Sequence, residues 1–442
     1  MTSLLSGLSR IVATISSPEG GTDNTPVEVT NLKALGSYNW IEEQVPTIAI
    51  PGLPAVWRDQ RIPIRLREDL GAPFFDEGIA RKCGFPLEPD ILAIEVSQAA
   101  DPSFDLSNEK IDIVTNRNNL RKLISFANLG DRIGGRYSNE FRIDAQLAPN
   151  GRTMILTRFE KPRYGQQALN YNRQQNNVRQ QNNRRQQNNG LQQNNIRQQN
   201  NQSIGYDHIF ERMCTEELPT IHATDYSGNN LPLRPIGYHR IVRYDLIGLR
   251  FLVRSRVDGM LPRPTQSQRE PALEPGIDDL VEALGRTRLE PEIANPGTQL
   301  VQREGSGVRY VNFGEHIPQD LLMDIMLVPN GNVNWKDAYP QFFLSQTPNL
   351  RVATRTTGPG PKSVTRLQLH DQSSLRAEHD IQSQRFRNLI YVLKQMLQTI
   401  QAHGSSSQPL AFVWNRAARR DLLAYRVEEM GEYLSDRGLE RF

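Results

Sequence analysis

The most strand-like stretch of the chain is residues 238–258, with the sequence YHRIVRYDLIGLRFLVRSRVD. Apolar side chains alternate with polar ones on both sides of Gly248, and a glycine between two such runs is typical of a tight turn. The stretch therefore predicts two adjacent strands. Arg256 and Asp258 end the second strand two residues apart. Side chains at i and i+2 lie on the same face of a sheet, so these two charges are expected to face the same way.

Segments with strand or helix patterns lie on both sides of this pair. Alternating runs at 141–147 and 153–159 are joined by Pro149-Asn150-Gly151, which predicts a hairpin. The sequence pattern of residues 46–57 predicts an extended segment that lies along a surface. Apolar spacing also predicts a short strand and a helix within 111–129, strands at 321–328 and 350–354, and helices at 335–345 and 381–400. The pattern predicts an α+β fold in which helices flank a mixed central β-sheet.

The predicted domain organisation is one folded unit, residues 37–442, behind a disordered tail at 1–36. Two insertions are expected to interrupt that unit. In the first, 163–204, the tetrapeptide Gln-Gln-Asn-Asn recurs five times at a six-residue period. A fixed period suggests a solenoid, but one apolar residue per repeat cannot bury a core, so a low-complexity loop is predicted. The second insertion, 262–307, is rich in Pro, Glu and Arg.

Composition narrows the function classes. The chain has 442 residues, with 52 Lys and Arg against 49 Asp and Glu, so its net charge of +3 is too small for a polybasic nucleic-acid-binding protein. Arginine makes up 44 of the 52 cations, which indicates either a phosphate-bearing partner, because the guanidinium fork suits phosphates and carboxylates, or GC-rich coding. Two cysteines, Cys83 and Cys214, indicate a reducing compartment. Without a secretory signal or an apolar run long enough for a membrane span, we expect an intracellular protein of the nucleus or cytoplasm.

Three acidic residues lie at positions where burial of their charge would cost free energy. Glu211 follows apolar residues, Asp258 ends a strand, and Asp324 lies within an apolar strand. A buried acid needs a compensating positive charge, and an ion pair with a basic side chain is one way to supply it. The other is a hard-cation site, because carboxylates from neighbouring strands can hold Mg²⁺ or Mn²⁺ for phosphodiester cleavage. The chain has no Walker loop, Gly-x-Gly-x-x-Gly or ordered Ser/His/Asp set.

These stretches, in this order, resemble motifs of the eukaryotic DXO-like RNA decapping and exonuclease family. Residues 114–124, VTNRNNLRKLI, are similar to the first motif, with Arg117 in the place of an arginine of the substrate pocket. Glu211 stands where that family has its first active-site glutamate, and Asp258 matches the aspartate of Glu-x-Asp. Asp324 stands at the glutamate of Glu-x-Lys, and Gln341 fits the active-site glutamine. The arrangement resembles a fungal branch of the family with a degenerate site.

The resemblance implies a nuclease fold of the PD-(D/E)XK kind with a mixed sheet. It implies that Glu211, Asp258 and Asp324 hold Mg²⁺ or Mn²⁺ if the site is active, that Gln341 belongs to the same catalytic set, and that Arg117 and Arg256 bind substrate. The implied substrates are RNA 5′ ends, either triphosphorylated or capped. The resemblance also implies a protein partner such as a nuclear 5′-to-3′ exoribonuclease.

Two departures from the family pattern leave the activity open. Arg256 replaces the glutamate of Glu-x-Asp, and Met326 replaces the lysine of Glu-x-Lys, although methionine can neither transfer a proton nor stabilise an anion. Three functions remain: a metal-dependent RNA 5′-end hydrolase in which Arg256 compensates for the lost lysine, a pseudo-nuclease that binds RNA or a protein without turnover, and a structural or regulatory protein assembled by its Gln/Asn tract.

Overall fold

The structure is a computed structural model, and the part of the chain that it describes forms two large sheets with helices packed on them. It describes residues 4–19, 23–67, 85–99, 103–129, 140–159, 206–263, 298–303, 305–358, 360–415, 420–428 and 433–442, together with residues 83, 101 and 418. The predicted insertion at 163–204 lies outside these ranges. Of the second insertion, 262–307, only the two ends are described.

Each strand and helix predicted between residues 111 and 400 is present, and the structure adds several elements that the sequence analysis did not predict. The helices are α1 (Glu88–Gln98), α2 (Arg117–Ala127), α3 (Asp207–Cys214), α4 (Trp335–Ser345), α5 (Arg376–His403) and α6 (Asp436–Leu439). The strands are β1 (Leu8–Ser16), β2 (Val29–Ile41), β3 (Thr47–Gly52), β4 (Ile64–Arg65), β5 (Ile113–Asn116), β6 (Phe141–Leu147), β7 (Met154–Arg158), β8 (Ile221–Thr224), β9 (Asn230–Leu233), β10 (Pro235–Leu246), β11 (Leu249–Val257), β12 (Gly259–Met260), β13 (Val301–Gln302), β14 (Arg309–Gly314), β15 (Leu322–Pro329), β16 (Asn349–Arg355), β17 (Ser363–Asp371), β18 (Leu410–Trp414) and β19 (Asp421–Val427).

The predicted mixed sheet is confirmed. Twelve strands form it in the order β1-β19-β18-β6-β7-β5-β11-β10-β2-β3-β14-β13, with parallel pairs at β5–β11, β5–β7 and β3–β14. A five-stranded sheet, β12-β15-β16-β17-β4, continues from it. The predicted pair of strands at 238–258 is the antiparallel hairpin β10–β11. Its turn residues Ile247 and Gly248 both have positive φ, the backbone geometry that two-residue hairpin turns need.

Helices cover both faces of the twelve-stranded sheet. Helix α1 packs on β2 and β3, and its Ile91, Leu92 and Ile94 join one buried apolar cluster. On the opposite face α2, α4 and α5 pack together over β11 and β6, and Leu120 and Phe386 lie in the larger cluster there. None of the helices in the described ranges is long and apolar enough to cross a membrane.

Two expectations about the N-terminal part were wrong. The tail predicted at 1–36 contains ordered strands in its described part, because Leu8–Ser16 pairs with β19 and Val29–Ile41 pairs with β10. Backbone pairing with a partner stabilises these strands without an extensive apolar face, so their polar composition was misleading. Residues 46–57 do not lie along the surface. Thr47–Gly52 is almost wholly buried between β2 and β14, because the partner strands satisfy its backbone.

A buried histidine makes the stability of this core depend on pH. The Nδ1 atom of His379 lies 2.9 Å from the Tyr339 hydroxyl, and the imidazole packs against Phe343 and Phe386. Burial, aided by the charge of Arg376, lowers the pKa of His379 below its ordinary 6.5. The unfolded chain therefore binds this proton more readily, so the stabilisation is complete above about pH 6.5 and is lost as the pH falls through the lowered pKa.

We therefore expect the melting temperature of the wild type to fall between pH 7 and pH 5 relative to that of the variant His379→Gln, which carries no ionisable group at this position. Thermal unfolding at several pH values gives the slope of melting temperature against pH for each protein, and the two slopes are compared. Identical slopes would contradict the assignment of this pH dependence to His379.

Candidate functional site

The candidate site lies where the twelve-stranded sheet meets the five-stranded sheet. Asp258 is the residue between β11, in the large sheet, and β12, in the small one. Strands β5 and β11 run parallel, so both end at this edge. Helix α2 begins directly after β5, where the Asn116 side chain accepts a hydrogen bond from the Asn119 amide at 3.0 Å, and this cap places Arg117 at the same edge.

Arg256 links two of the three predicted carboxylates. Its Nη2 lies 2.5 Å from Oε1 of Glu211, and its Nη1 lies 3.2 Å from Oδ1 of Asp258. Both carboxylates are largely withdrawn from solvent, as is the guanidinium. Arg256 is therefore the counter-ion of the two neighbouring acids, and its charge lies between them.

The third carboxylate is held by the second arginine. Nη1 of Arg117 lies 2.7 Å from Oδ2 of Asp324, whose residue is only 2% exposed. The other oxygen of Asp324, Oδ1, is buried and has no hydrogen-bond partner in the described part of the chain. Asp258 is tied to the same strand, because its Oδ2 accepts a hydrogen bond from the Ile325 amide at 2.9 Å. The three predicted acids and both predicted arginines thus form one cluster.

Burial changes the protonation of the two aspartates. Desolvation, with the charge of Glu211 next, raises the pKa of Asp258 to about 7, although Arg256 opposes the shift. Desolvation also raises the pKa of Asp324, and Arg117 opposes it. These carboxyl groups bind protons more readily than exposed ones, because the desolvation penalty falls on the charged form.

The other positions of the family pattern have different surroundings. Met326, two residues after Asp324 on β15, packs against the larger apolar cluster rather than presenting a polar group. Gln341 lies half-buried on α4, and no hydrogen bond or ion pair joins it to the three carboxylates within the described ranges. The Nδ1 atom of His208 lies 3.5 Å from Oε2 of Glu211.

The residues present do not fit a divalent cation. Across the described ranges, no group of three or more His, Cys, Asp or Glu is arranged to hold a metal ion. Glu211 and Asp258 already share one guanidinium, and Asp324 has another. A dication about 4 Å from an arginine would be opposed by several kcal/mol at an effective dielectric constant of 20. No chemical step is therefore derived through a metal.

A second buried polar cluster beside the site was missed by sequence reasoning. The Tyr38 hydroxyl donates a hydrogen bond to Oδ1 of Asp90 at 3.0 Å, and the Arg254 guanidinium approaches both. His239 stacks on Tyr38 and lies opposite Arg256 in the β10–β11 ladder. These residues come from four separate elements, so no local motif signals them. The only sequence clue is Asp90, an acid that lies next to apolar residues of α1.

Comparisons with known proteins agree with this architecture. Residues 9–182 match the profile of a domain of unknown function (DUF8563), which is less than half of the chain. No curated protein sequence matches the chain. Rai1 from Scheffersomyces stipitis, in complex with (3′-NADP)⁺ and calcium ion, is 10% identical, with a TM-score of 0.51 over 96% of this chain and 98% of that one. Rai1 from S. pombe is also 10% identical, with a TM-score of 0.50 over 94% of this chain and 99% of that one. The expected resemblance is thus confirmed for the fold, since Rai1 has the DXO-like architecture predicted above.

Proposed function

We propose that this chain is a pseudo-nuclease that binds the 5′ end of RNA without hydrolysing it. The observation that carries the proposal is the position of Arg256, whose guanidinium lies within 3.2 Å of both Glu211 and Asp258. In the DXO-like pattern these carboxylates hold metal ions. Here a fixed organic cation lies between them, so the site lacks the arrangement that lowers the pKa of a metal-bound water.

A phosphate ligand is supported by the fold and by the arginines. One Rai1 structure of the same fold holds a nucleotide, (3′-NADP)⁺. Arg117 and Arg256 bring two guanidinium groups to the candidate site, and a guanidinium fork matches the oxygens of a phosphate. Burial raises the pKa of Asp258 to about 7, which weakens its hold on the Arg256 charge at neutral pH and favours an incoming anion.

Hydrolysis is not supported by the same residues. Met326 packs against the apolar core at the position of the family lysine, so no amine there can orient water or stabilise a developing charge. Removal of one such positioned group typically costs about two to three powers of ten in rate. The site is therefore suited to recognition of a terminal phosphate, with the carboxylates as exchangeable partners of the arginines.

The first test compares RNA ends. We expect 5′-triphosphate and capped RNA to stay intact with Mn²⁺, with or without a chelator, and 5′-phosphorylated RNA to bind more tightly than the same RNA with a 5′ hydroxyl. The variant Arg256→Gln should lose most of that preference, about tenfold in Kd for one charge-assisted contact. Fluorescence anisotropy measures binding, and gel electrophoresis measures cleavage.

The control variant is Arg10→Gln, which removes an exposed arginine on β1, at the edge of the large sheet. It should keep the preference for a 5′ phosphate. Mn²⁺-dependent cleavage that disappears in Asp258→Ala would refute the pseudo-nuclease proposal. Equal affinity for the two RNA ends would refute recognition of the 5′ phosphate.

A further inference from the structure

The edge of the five-stranded sheet carries a concentration of positive charge that the site described above does not use. Two segments form it, residues 58–67, which include β4, and residues 349–371, which include β16 and β17. Together they contain eight Lys or Arg residues and only two acids, Asp59 and Asp371. Seven of the eight cations are arginine: Arg58, Arg61, Arg65, Arg67, Arg351, Arg355 and Arg366, with Lys362 as the eighth. We call four of the exposed members, Arg61, Arg65, Arg67 and Arg366, the basic edge surface.

Strand register places two of these arginines on one face. Arg65 lies opposite Ser363, and its neighbour Ile64 lies opposite Val364 in the buried cluster below. Arg366 lies opposite Thr354, on the face away from that cluster. Side chains alternate between the faces of a sheet, so Arg65 and Arg366 share the outward face. Leu66 is buried and Arg67 is exposed, which continues the alternation.

Within the described ranges, no acid neutralises the charge of the basic edge surface. Arg61, Arg65, Arg67 and Arg366 form no ion pair with any acid of the described ranges. Of the two acids in the segments, Asp59 already faces Arg351 at 3.9 Å. Half-buried Arg351 and Arg355, which lie over the rings of Trp57 and Tyr206, add to the positive field. Such a field attracts a polyanion at long range.

A further arginine of the same sheet lies beside the candidate site. Tyr206 immediately precedes α3, the helix that carries Glu211, and Arg355 lies over its ring. Arg355 is paired with Val364, which belongs to the buried cluster against which Tyr206 packs, so Arg355 lies on the face turned away from Arg65 and Arg366. Positive charge is therefore present on both faces of this edge of the sheet.

We propose that the basic edge surface binds the phosphate backbone of single-stranded RNA downstream of the 5′ end. The choice of RNA as ligand rests on the proposed function. Arginines that repeat along an extended segment, with Arg65 and Arg67 about 6.6 Å apart, present charge at regular intervals to a backbone that also repeats its charge. Arginine is suited to this role because its planar fork matches phosphate oxygens.

The experiment uses the full chain and an RNA oligonucleotide with a 5′ hydroxyl, so that recognition of a 5′ phosphate does not contribute. Binding is measured by anisotropy over a series of salt concentrations. For single strands, each neutralised phosphate adds about 0.7 to the slope of log K against log salt. The double variant Arg65→Gln/Arg366→Gln should lower the slope by about 1.4 and weaken binding about 25-fold at 0.1 M salt.

The matched control is Arg10→Gln/Arg437→Gln, which removes two exposed arginines elsewhere and changes net charge equally. It should leave the slope almost unchanged. An equal loss in both double variants, or no loss in the first, would overturn the proposal. Competition by polyglutamate as effective as that by RNA would overturn the choice of RNA in favour of an acidic protein segment. The proposed function has a separate test, which is the effect of Arg256→Gln on the preference for a 5′ phosphate. Failure of the proposed function can therefore be distinguished from failure of the proposal for the basic edge surface.

Discussion

Replacing Arg256 with Glu and Met326 with Lys in one variant is expected to give the chain Mn²⁺-dependent hydrolysis of 5′-triphosphate RNA, which the wild type should lack. The first change removes the guanidinium between Glu211 and Asp258, and with it the Coulomb repulsion of a cation. It also supplies a further carboxylate ligand. The second change places an amine two residues from Asp324 on β15. The lysine alone should contribute about two to three powers of ten in rate.

Metal binding gives a readout that does not depend on turnover. We expect Mn²⁺ to raise the melting temperature of Arg256→Glu, since an ion held only by the folded state stabilises it, and to leave the wild type unchanged. In the double variant, Asp258→Ala should abolish any gained hydrolysis. If Mn²⁺ raised the melting temperature of the wild type as much as that of the variant, the result would contradict the view that Arg256 excludes the metal.

Replacing Arg117 with Ala is expected to destabilise the fold by about 3–5 kcal/mol, because it leaves a buried carboxylate without its counter-ion. Asp324 is only 2% exposed, and its Oδ1 already lacks a partner in the described part of the chain. Urea unfolding near pH 8 measures the change. The loss should shrink as the pH falls, because Asp324, with its raised pKa, can then be neutralised by a proton instead of by the arginine.

The matched control is an exposed pair. Arg376 and Asp380 lie one turn apart on α5 with both side chains mostly in solvent, so Arg376→Ala should change stability by less than about 0.5 kcal/mol. The double variant Arg117→Ala/Asp324→Asn should recover part of the loss, because no buried charge remains. A cost for Arg117→Ala no greater than that of the control would show that the buried pair is not needed for the fold.

Much of the secondary structure could be predicted because it depends on neighbours in the sequence. The Trp335–Ser345 helix matches its predicted bounds, and the hairpins at 141–158 and 235–257 follow from alternation on both sides of turn residues. The N-terminal strands could not be predicted in this way. Leu8–Ser16 depends on β19, which lies about 400 residues later, and no local pattern records a partner so distant.

The acids and arginines of the site could also be named from the sequence, through ordered short motifs. Their pairing could not, because Arg117 and Asp324 are separated by 207 residues and Arg256 and Glu211 by 45. The same holds for the basic edge surface, whose arginines come from two segments about 290 residues apart. A sequence pattern reports which residue types are present and which face of an element they share.

The sequence by itself determined the class of fold, the bounds of the central hairpin and the residues from which a site could be built. Only the tertiary structure decided that Arg256 and Arg117 are the counter-ions of those acids. The physical reason is that the energy of a charge depends on its distance from other charges and on its exposure to water. Both quantities are set when the two sheets come together at Asp258, and neither is a property of local sequence.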